Sequence, residues 1–344
     1  MISTDCTRLK SQIVDNEGPS TCRGQTVGVK IARLTAAALA LVLAACSQSS
    51  TQSSSGASPS TSGTKRIGVS IQNREAQFYQ DMEAGMRSEA AKYGYTLDVV
   101  DANRDNALQQ SQVEDFISER VDAIVLTPYD SQAIGSAIAE ANEAKIPVFT
   151  ADIASTSKLG TVVAHIASDN VQGGFQAGKL MCAGVNKSGA IAIIDEPEVT
   201  SVQDRVRGFR QAISQLCPNV SIVADVDGGG QRDQAESDMS DILQSHRDLK
   251  GVFGINDDSA LGALTAVKAA GLVGKIAVIG YDATPEARTA IAAGQMYGDA
   301  VQYPQQIGKE TIDAIHQYFS GKKPPKVVKV NVGTFTKADS GKPQ

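Results

Sequence analysis

The feature that most constrains this chain is a long alternation of short apolar runs and amphipathic stretches, extending from Arg66 to Val332 and played twice. In the first half Arg66–Ile71, Leu97–Val100, Ala123–Leu126, Val148–Thr150 and Val162–Ile166 read as buried strands. Between them helices are predicted over Gln77–Tyr93, over Leu108–Glu119, and from a cap at Ser131 to about Ala144. Phe78, Met82, Met86 and Ala90 recur at helical spacing in the first of these, and Gly94 stops it. The second half repeats the plan. Strands are expected at Ala190–Ile194, Ser221–Val226, Val252–Ile255 and Ile276–Ile279, with helices at Val171–Val185, Val202–Leu216, Arg232–Ser245, Ser259–Ala270 and Pro285–Ala293. A strand at Tyr297–Gln302, a long helix at Pro304–Phe319 and a last strand at Lys326–Val332 close the pattern. Apolar strands alternating with amphipathic helices make parallel sheets covered on both faces. The stretch from His165 to Gly174 is where one series ends and the next begins, which makes it the passage between two α/β lobes.

A chain of 344 residues suits two such domains better than one. Its net charge of −6, with no basic tail, gives nucleic acid nothing to bind, and with no Trp and only 5% aromatic residues it lacks a base-stacking platform. The N-terminal region is expected to be an export signal over residues 1–45. Lys30 and Arg33 supply its positive charge, and the uncharged run Leu34–Ala45 is too short to span a bilayer. Residues 1–26 carry Asp5, Asp15 and Glu17 and no apolar period, so translation is expected to begin near Val27 or Val29. Leu43-Ala44-Ala45-Cys46 resembles the bacterial lipoprotein signal, in which the Cys is lipidated and becomes the mature N-terminus. That resemblance places the protein on the outer face of the cell membrane, anchored through Cys46. The Ser/Thr-rich segment up to residue 64 then serves as a flexible tether. Cys182 and Cys217 remain for the folded part. They can be bridged or can stay as buried thiols. The helices that carry them flank one strand and end on the same side, which favours the bridge.

Polar side chains follow the strands: Thr127, Asp152, Asn256-Asp257, Asp282 and Gln302. Ligands of open α/β sheets bind at these carboxyl ends. Ser259 is expected to cap its helix in preference to Asn256, and Thr284 in preference to Asp282, which leaves Asn256 and Asp282 free for another task. Catalytic and cofactor signatures do not occur. There is no phosphate loop, no Gly-x-Ser-x-Gly nucleophile turn, and the three His have no metal-ligand spacing, so no enzyme, cofactor or metal is expected. An acid–base pairing of Asp152 with Asp282 has no nucleophile beside it; hydroxyl acceptance is the expected role of both.

From Lys65 to about Val332 the chain resembles the sugar-binding proteins of ABC importers, of the ribose-binding type. The resemblance rests on Ile67-Gly68-Val69 followed by Phe78-Tyr79, on His165-Ile166-Ala167-Ser168-Asp169-Asn170, on Asp204-Arg205 with Gly208-Phe209, on Asn256-Asp257, on Gly280-Tyr281-Asp282 and on Gln302 with Pro304 and Gly308. It implies the type I periplasmic binding protein fold: two Rossmann-like lobes with parallel sheets, joined by three hinge crossings near Ser168, Gln302 and Asn331. The first lobe would hold residues 65–168 and 303–331, the second 169–302 and 332–344. The resemblance also implies a ligand set. Phe78 and Tyr79 pack on the sugar faces, Asp152 accepts hydroxyl hydrogens, and Arg205, Asn256, Asp282 and Gln302 form the polar set of the second lobe. Thr127 stands where ribose binders carry Asn.

Other positions depart from the ribose pattern too: Ala76 replaces an Asn, and Ile153 an Arg. A more apolar, roomier first lobe is therefore expected, with a different pentose, a hexose or a sugar alcohol as ligand. The partners implied are that small molecule and the subunits of an ABC permease, with the protein itself monomeric. A receptor presenting a sugar-like signal to a sensor is the alternative. A sugar-responsive repressor is set aside because the N-terminus holds an export signal in place of a helix-turn-helix.

Overall fold

The computed structural model describes residues 64–341. The export signal, Cys46 and most of the tether lie outside them. The chain runs β1 (Arg66–Ile71), α1 (Gln77–Tyr93), β2 (Thr96–Asp101), α2 (Asn106–Ser118), β3 (Ala123–Leu126), α3 (Gly135–Glu143), β4 (Val148–Ala151) and β5 (Val162–Ser168). It continues as α4 (Asn170–Gly184), β6 (Ser188–Asp195), α5 (Thr200–Leu216), β7 (Asn219–Asp227), α6 (Arg232–Ser245), β8 (Leu249–Gly254), α7 (Asp257–Ala269), β9 (Ala277–Asp282), α8 (Pro285–Ala292) and β10 (Gly298–Val301). Then come α9 (Pro304–Phe319), β11 (Val327–Val330) and β12 (Gly333–Thr336).

The strands form two six-stranded sheets, ordered β11-β5-β4-β3-β1-β2 and β12-β10-β9-β8-β6-β7. The chain thus leaves the first sheet after Ser168, returns to it with β11 after β10, and leaves again after Val330. All pairings are parallel except that of β12 with β10, which is antiparallel with Gly298 opposite Thr336. This corrects the sequence expectation of one strand over Lys326–Val332. β11 ends at Val330, beside the crossing expected near Asn331, and β12 begins at Gly333 in the other sheet.

Each sheet is covered on both faces by apolar side chains. In the first lobe Met82 and Met86 of α1 and Ile312 and Ile315 of α9 pack on one face, with Phe116, Ile134 and Ile138 on the other. In the second lobe Phe209 and Ile213 of α5 lie on one face, and Met239, Leu264 and Ile291 of α6, α7 and α8 on the other. Helix ends follow their sequence signals. Gly94 takes the left-handed conformation at φ 68° and its N–H caps α1, which a residue with a Cβ would adopt only under strain. The Asp105 carboxylate accepts from the N–H groups of Ala107 and Leu108 at the start of α2. Cys182 and Cys217 are joined in a disulfide, with their Cα atoms 5.8 Å apart, tying the end of α4 to the end of α5.

Two helix crossings are close because glycine faces backbone. A Cβ on Gly85 of α1 would stand 2.2 Å from the Gln305 carbonyl oxygen of α9. On Gly174 of α4 it would stand 1.9 Å from the carbonyl oxygen of Arg205, and on Gly208 of α5 2.0 Å from that of Val171. The second crossing bears on function, because it sets the depth at which α5 presents Arg205.

Ser131 does not cap α3. The Asp130 carboxylate accepts from Gln132 N and Ala133 N at 2.7 and 2.8 Å, which releases the Ser131 hydroxyl to accept from the N–H of Thr200, 3.0 Å away at the start of α5 in the other lobe. The Thr200 hydroxyl in turn accepts from Ala154 N at 3.0 Å. The first lobe therefore serves the N-terminus of a second-lobe helix, and the lobes are closed on each other.

Candidate ligand-binding site

A cavity of about 350 Å3 lies between the lobes at the carboxyl ends of the strands. From the first lobe, Gln72 and Asn73 reach it directly after β1, Phe78 and Tyr79 from the first turn of α1, and Asp152 from the end of β4. The Phe78 and Tyr79 rings meet edge to face, with centroids 5.2 Å apart. Tyr79 donates its hydroxyl hydrogen between Gln72 Oε1 at 2.8 Å and Asp152 Oδ2 at 3.3 Å. Burial, and then the neighbouring Asp152 charge, push the Tyr79 phenol well up, so it stays a donor.

Arg205 is the centre of the second-lobe wall. Its Nε donates to Asn170 Oδ1 at 2.9 Å and its Nη1 to the Ile255 carbonyl at 3.0 Å. Its guanidinium lies 4.1 Å from the ring centre of Tyr281, whose hydroxyl donates to the same Asn170 oxygen at 3.2 Å. Nη2 faces Asp152 Oδ1 across the lobes at 4.0 Å. Burial works against the Arg205 charge, but Tyr281, Asp282 and Asp152 more than offset it. Asp282 accepts from Gln302 Nε2 at 2.6 Å, and Asn256 Nδ2 donates to the Gly230 carbonyl at 3.1 Å. Burial raises the pKa of Asp152 despite Arg205, and raises that of Asp282 further, with Asp257 adding to it.

The two carboxylates share an unusual backbone. Asp152 sits at φ 62° and Asp282 at φ 122°, regions that residues with a Cβ adopt at a cost of about 1–3 kcal/mol. Such strain persists where the surrounding structure enforces it, and here it turns both side chains out of strand ends into the cavity. Asp152 Oδ1 and Gln302 Oε1 are enclosed without a hydrogen-bond partner. The wall therefore offers apolar ring surface, acceptors in need of donors, and one fixed guanidinium. That combination suits a small polyhydroxylated molecule with apolar C–H faces.

A family model described as a periplasmic binding protein domain matches residues 67–323. This chain belongs to the periplasmic binding protein family. Among its relatives is the ribose import binding protein RbsB of Bacillus subtilis, 33% identical over 79% of this chain and 88% of that protein. A solute-binding protein of an ABC transporter from Bacillus halodurans, solved with bound myo-inositol, is 29% identical with a TM-score of 0.76, covering 82% of this chain and 97% of that one. Another, from Actinobacillus succinogenes and holding D-allose, is 28% identical with a TM-score of 0.75, covering 80% and 99%. The two parallel-sheet lobes of this periplasmic binding protein are those of the type I, ribose-binding-like fold.

Seven of the residues singled out in the sequence line the cavity of this periplasmic binding protein: Phe78, Tyr79, Asp152, Arg205, Asn256, Asp282 and Gln302. Thr127 does not line it. It is fully buried at the end of β3, with its N–H given to the Ser70 carbonyl and its own carbonyl accepting from Gln109 Nε2 at 3.0 Å. Its backbone is held there, and its hydroxyl is enclosed inside the lobe without a hydrogen-bond partner. Asn256 is a correction: it caps α7, its Oδ1 accepting from Ser259 N at 2.8 Å. Thr284 caps α8 as expected. Ile153 is buried and packs with Val199 and Val202 of the second lobe, so the apolar wall it forms is filled by the facing lobe.

Gln72 and Glu196 were missed in the sequence reading, although each directly follows a strand, β1 and β6. They meet across the cleft, Gln72 Nε2 donating to Glu196 Oε1 at 3.3 Å. Burial pushes the Glu196 carboxyl up to about 7. His165 pairs with the Thr150 hydroxyl at 2.9 Å, and Asp169 caps α4 and receives Lys329 Nζ at 3.1 Å. Among the described residues no helix is long and apolar enough to cross a membrane, and no group of three or more His, Cys, Asp or Glu could hold a metal ion.

Proposed function

We propose that this protein is a lipid-anchored, monomeric solute-binding protein that captures a sugar or sugar alcohol between its lobes and delivers it to an ABC permease. The observation that carries this reading is the cavity, where the Phe78 and Tyr79 rings stand beside the unpartnered acceptors of Asp152 and Gln302. Cross-lobe contacts include the polar pairs Gln72 to Glu196, Asp152 to Arg205, and Ser131 to Thr200, beside the packing of Ile153 on Val199 and Val202. A ligand that bridges both walls would add its own bonds to these and stabilise closure, so that the permease meets a closed, loaded form. The names of the relatives, with ribose, myo-inositol and D-allose among their ligands, support the substrate class.

The test is a melting-temperature screen of the purified protein with pentoses, hexoses, amino sugars and polyols. A true ligand raises the melting temperature by mass action, by about 2.7 kcal/mol of stabilisation at a hundredfold excess over Kd. Asp282→Ala should lose that shift; a shift retained in the variant would place the ligand elsewhere. For the anchor, Cys46→Ala is expected to release the protein from the membrane fraction and to abolish labelling by a radioactive fatty acid. Unchanged labelling would remove the lipid from Cys46.

A further inference from the structure

Non-glycine residues with positive φ fall into two groups. Arg120, Lys145, Asn186 and Lys187 lie just past the ends of α2, α3 and α4, where a left-handed residue closes a helix. Asn103, Arg104, Asp152, Asp282 and Ala283 lie instead at or just past the carboxyl ends of β2, β4 and β9. Three of these, Arg104, Asp152 and Asp282, line the cavity between the lobes. The strain that marks the two carboxylates of the site therefore marks Arg104 as well, at φ 55°. The loop enforces it. Arg104 N donates to the Gln72 carbonyl at 2.9 Å, Asn103 N donates to Asp101 Oδ1 at 2.7 Å, and Asp105 is held as the cap of α2. Asn tolerates such a backbone, but Arg has no local use for it. What the turn achieves is placement: it ties the end of β2 to the end of β1 and brings Arg104 to the cavity wall.

There its donors are only partly engaged. The Arg104 Nε is enclosed without a hydrogen-bond partner. Its Nη1 reaches Glu75 Oε2 at 3.2 Å, but that side chain is 80% exposed, and such a pair holds weakly. Across the cleft stands the buried Glu196 of the second lobe, and Arg104 is the foremost charge that offsets the effect of burial on it. Among the described residues Arg104 is the one Lys, Arg or His that the first lobe brings to the cavity; Ile153, beside Asp152, brings no charge. Arg104 also borders an open recess of about 220 Å3 together with Arg232 and Asp258 of the second lobe. An enclosed guanidinium N–H without an acceptor is costly, and a ligand oxygen would remove the cost. We infer that Arg104 is a further ligand-contacting residue, whose Nε donates to an oxygen of the bound sugar or polyol at the end nearest this recess and so selects among hydroxyl patterns. This role rests on the sugar-class reading above and adds a first-lobe donor to it. A hydroxyl missing at that point leaves the N–H unpaired again, which is how one contact discriminates between ligands of similar size.

The test is calorimetric titration of the parent and of Arg104→Ala with D-ribose, D-allose and myo-inositol, each beside its monodeoxy analogues. Where none of the three binds, a hit of the melting-temperature screen takes their place. The probe that binds should lose about tenfold to a hundredfold in affinity in the variant, the range of one hydrogen bond to a charged group. One monodeoxy analogue should already show that loss in the parent and should lose less than about threefold more in Arg104→Ala, since the bond it lacks is the one the variant removes. The other analogues should keep the full effect of the substitution. A role confined to the fold of the loop would weaken all analogues alike. Arg104→Lys keeps the charge beside Glu196 but has no planar fork, and should repeat the pattern; it carries the same comparison if the alanine variant folds poorly. Affinity within about threefold of the parent in both variants, or a uniform loss across the analogues, would overturn the inference and leave sugar binding standing. Silence from all three probes, and from the wider screen, would overturn the sugar-class reading and the role of Arg104 with it.

Discussion

Arg205→Ala is expected to lose ligand binding by more than about a hundredfold and to destabilise the protein by about 3–5 kcal/mol, the cost of removing one partner from a buried charge network. The residue is 5% exposed and makes its hydrogen bonds inside the second lobe and its ion pair across the cleft. Its loss leaves Asn170 Oδ1 and the Ile255 carbonyl short of a donor, takes the cation from the face of Tyr281, and leaves Asp152 and Asp282 facing each other's charge alone. Their pKa values, already raised by burial, should climb further. Urea denaturation gives the stability, and titration with a ligand found in the screen gives the affinity. Arg205→Lys separates the two roles. It keeps a charge but has no planar fork for Asn170 and Ile255 together, so stability should recover in part and binding should stay weak. A variant Arg205→Ala with normal stability and normal binding would show that the guanidinium is only a wall of the cavity.

The placement of Arg205 illustrates what the sequence makes legible. Asp152, Asp282 and Gln302 can be read at strand ends because parallel sheets present ligands there, whereas Phe78, Tyr79 and Arg205 beside Gly208-Phe209 are legible through the resemblance to ribose-type binding proteins. The alternation of apolar strands and amphipathic helices likewise sets the two lobes, since period and length are local properties. Other features depend on contacts between distant residues. Asn170 looks like a helix start, and only the packed α4–α5 pair shows that it orients Arg205 and Tyr281. Ser131 looks like a cap for the helix that follows it, but Asp130 is one residue nearer in function and frees the hydroxyl for the other lobe. Gln72 and Glu196 were within reach of the strand-end rule, but that they meet across the cleft is a property of closure. β12 is hidden because Gly333–Thr336 has no apolar run of its own, whereas the change of sheet after Val330 falls beside Asn331, where the resemblance puts a crossing.

Asp299 carries the second large effect, on the pH dependence of stability. It lies on β10, fully buried, opposite Gly280, where a Cβ would stand 2.1 Å from Asp299 Oδ1 and 2.8 Å from Asp257 Oδ1. The Asp257 Oδ2 accepts from Thr284 N at 2.6 Å, but its Oδ1 and both oxygens of Asp299 have no ordinary donor. Two carboxyls so placed satisfy each other when one is protonated. Burial pushes Asp299 up to about 7, against the favourable pull of Asp257 and Arg288 and with Asp282 adding to the rise; burial, then Asp299, raises Asp257 as well. The folded protein therefore keeps a proton that the unfolded chain releases near the usual carboxylate range, about 3.9. Stability from this proton is fully present below that range, is lost as pH rises toward about 7, and changes no further above it. Asp299→Asn removes the titration and offers Asp257 Oδ1 an amide donor. Urea denaturation should then show, from about pH 5 to just below pH 7, a slope shallower by one proton, about 1.4 kcal/mol per pH unit, and above about pH 7 a variant more stable than the parent by on the order of a few kcal/mol. Asp257, Asp282 and Asp152, all raised by burial, and Glu196 and Asp195, pushed up by burial to about 7 and about 6, leave a residual slope in both proteins. Equal slopes in the two would mean that Asp299 is already ionised in the fold, and the shared proton would have to be abandoned.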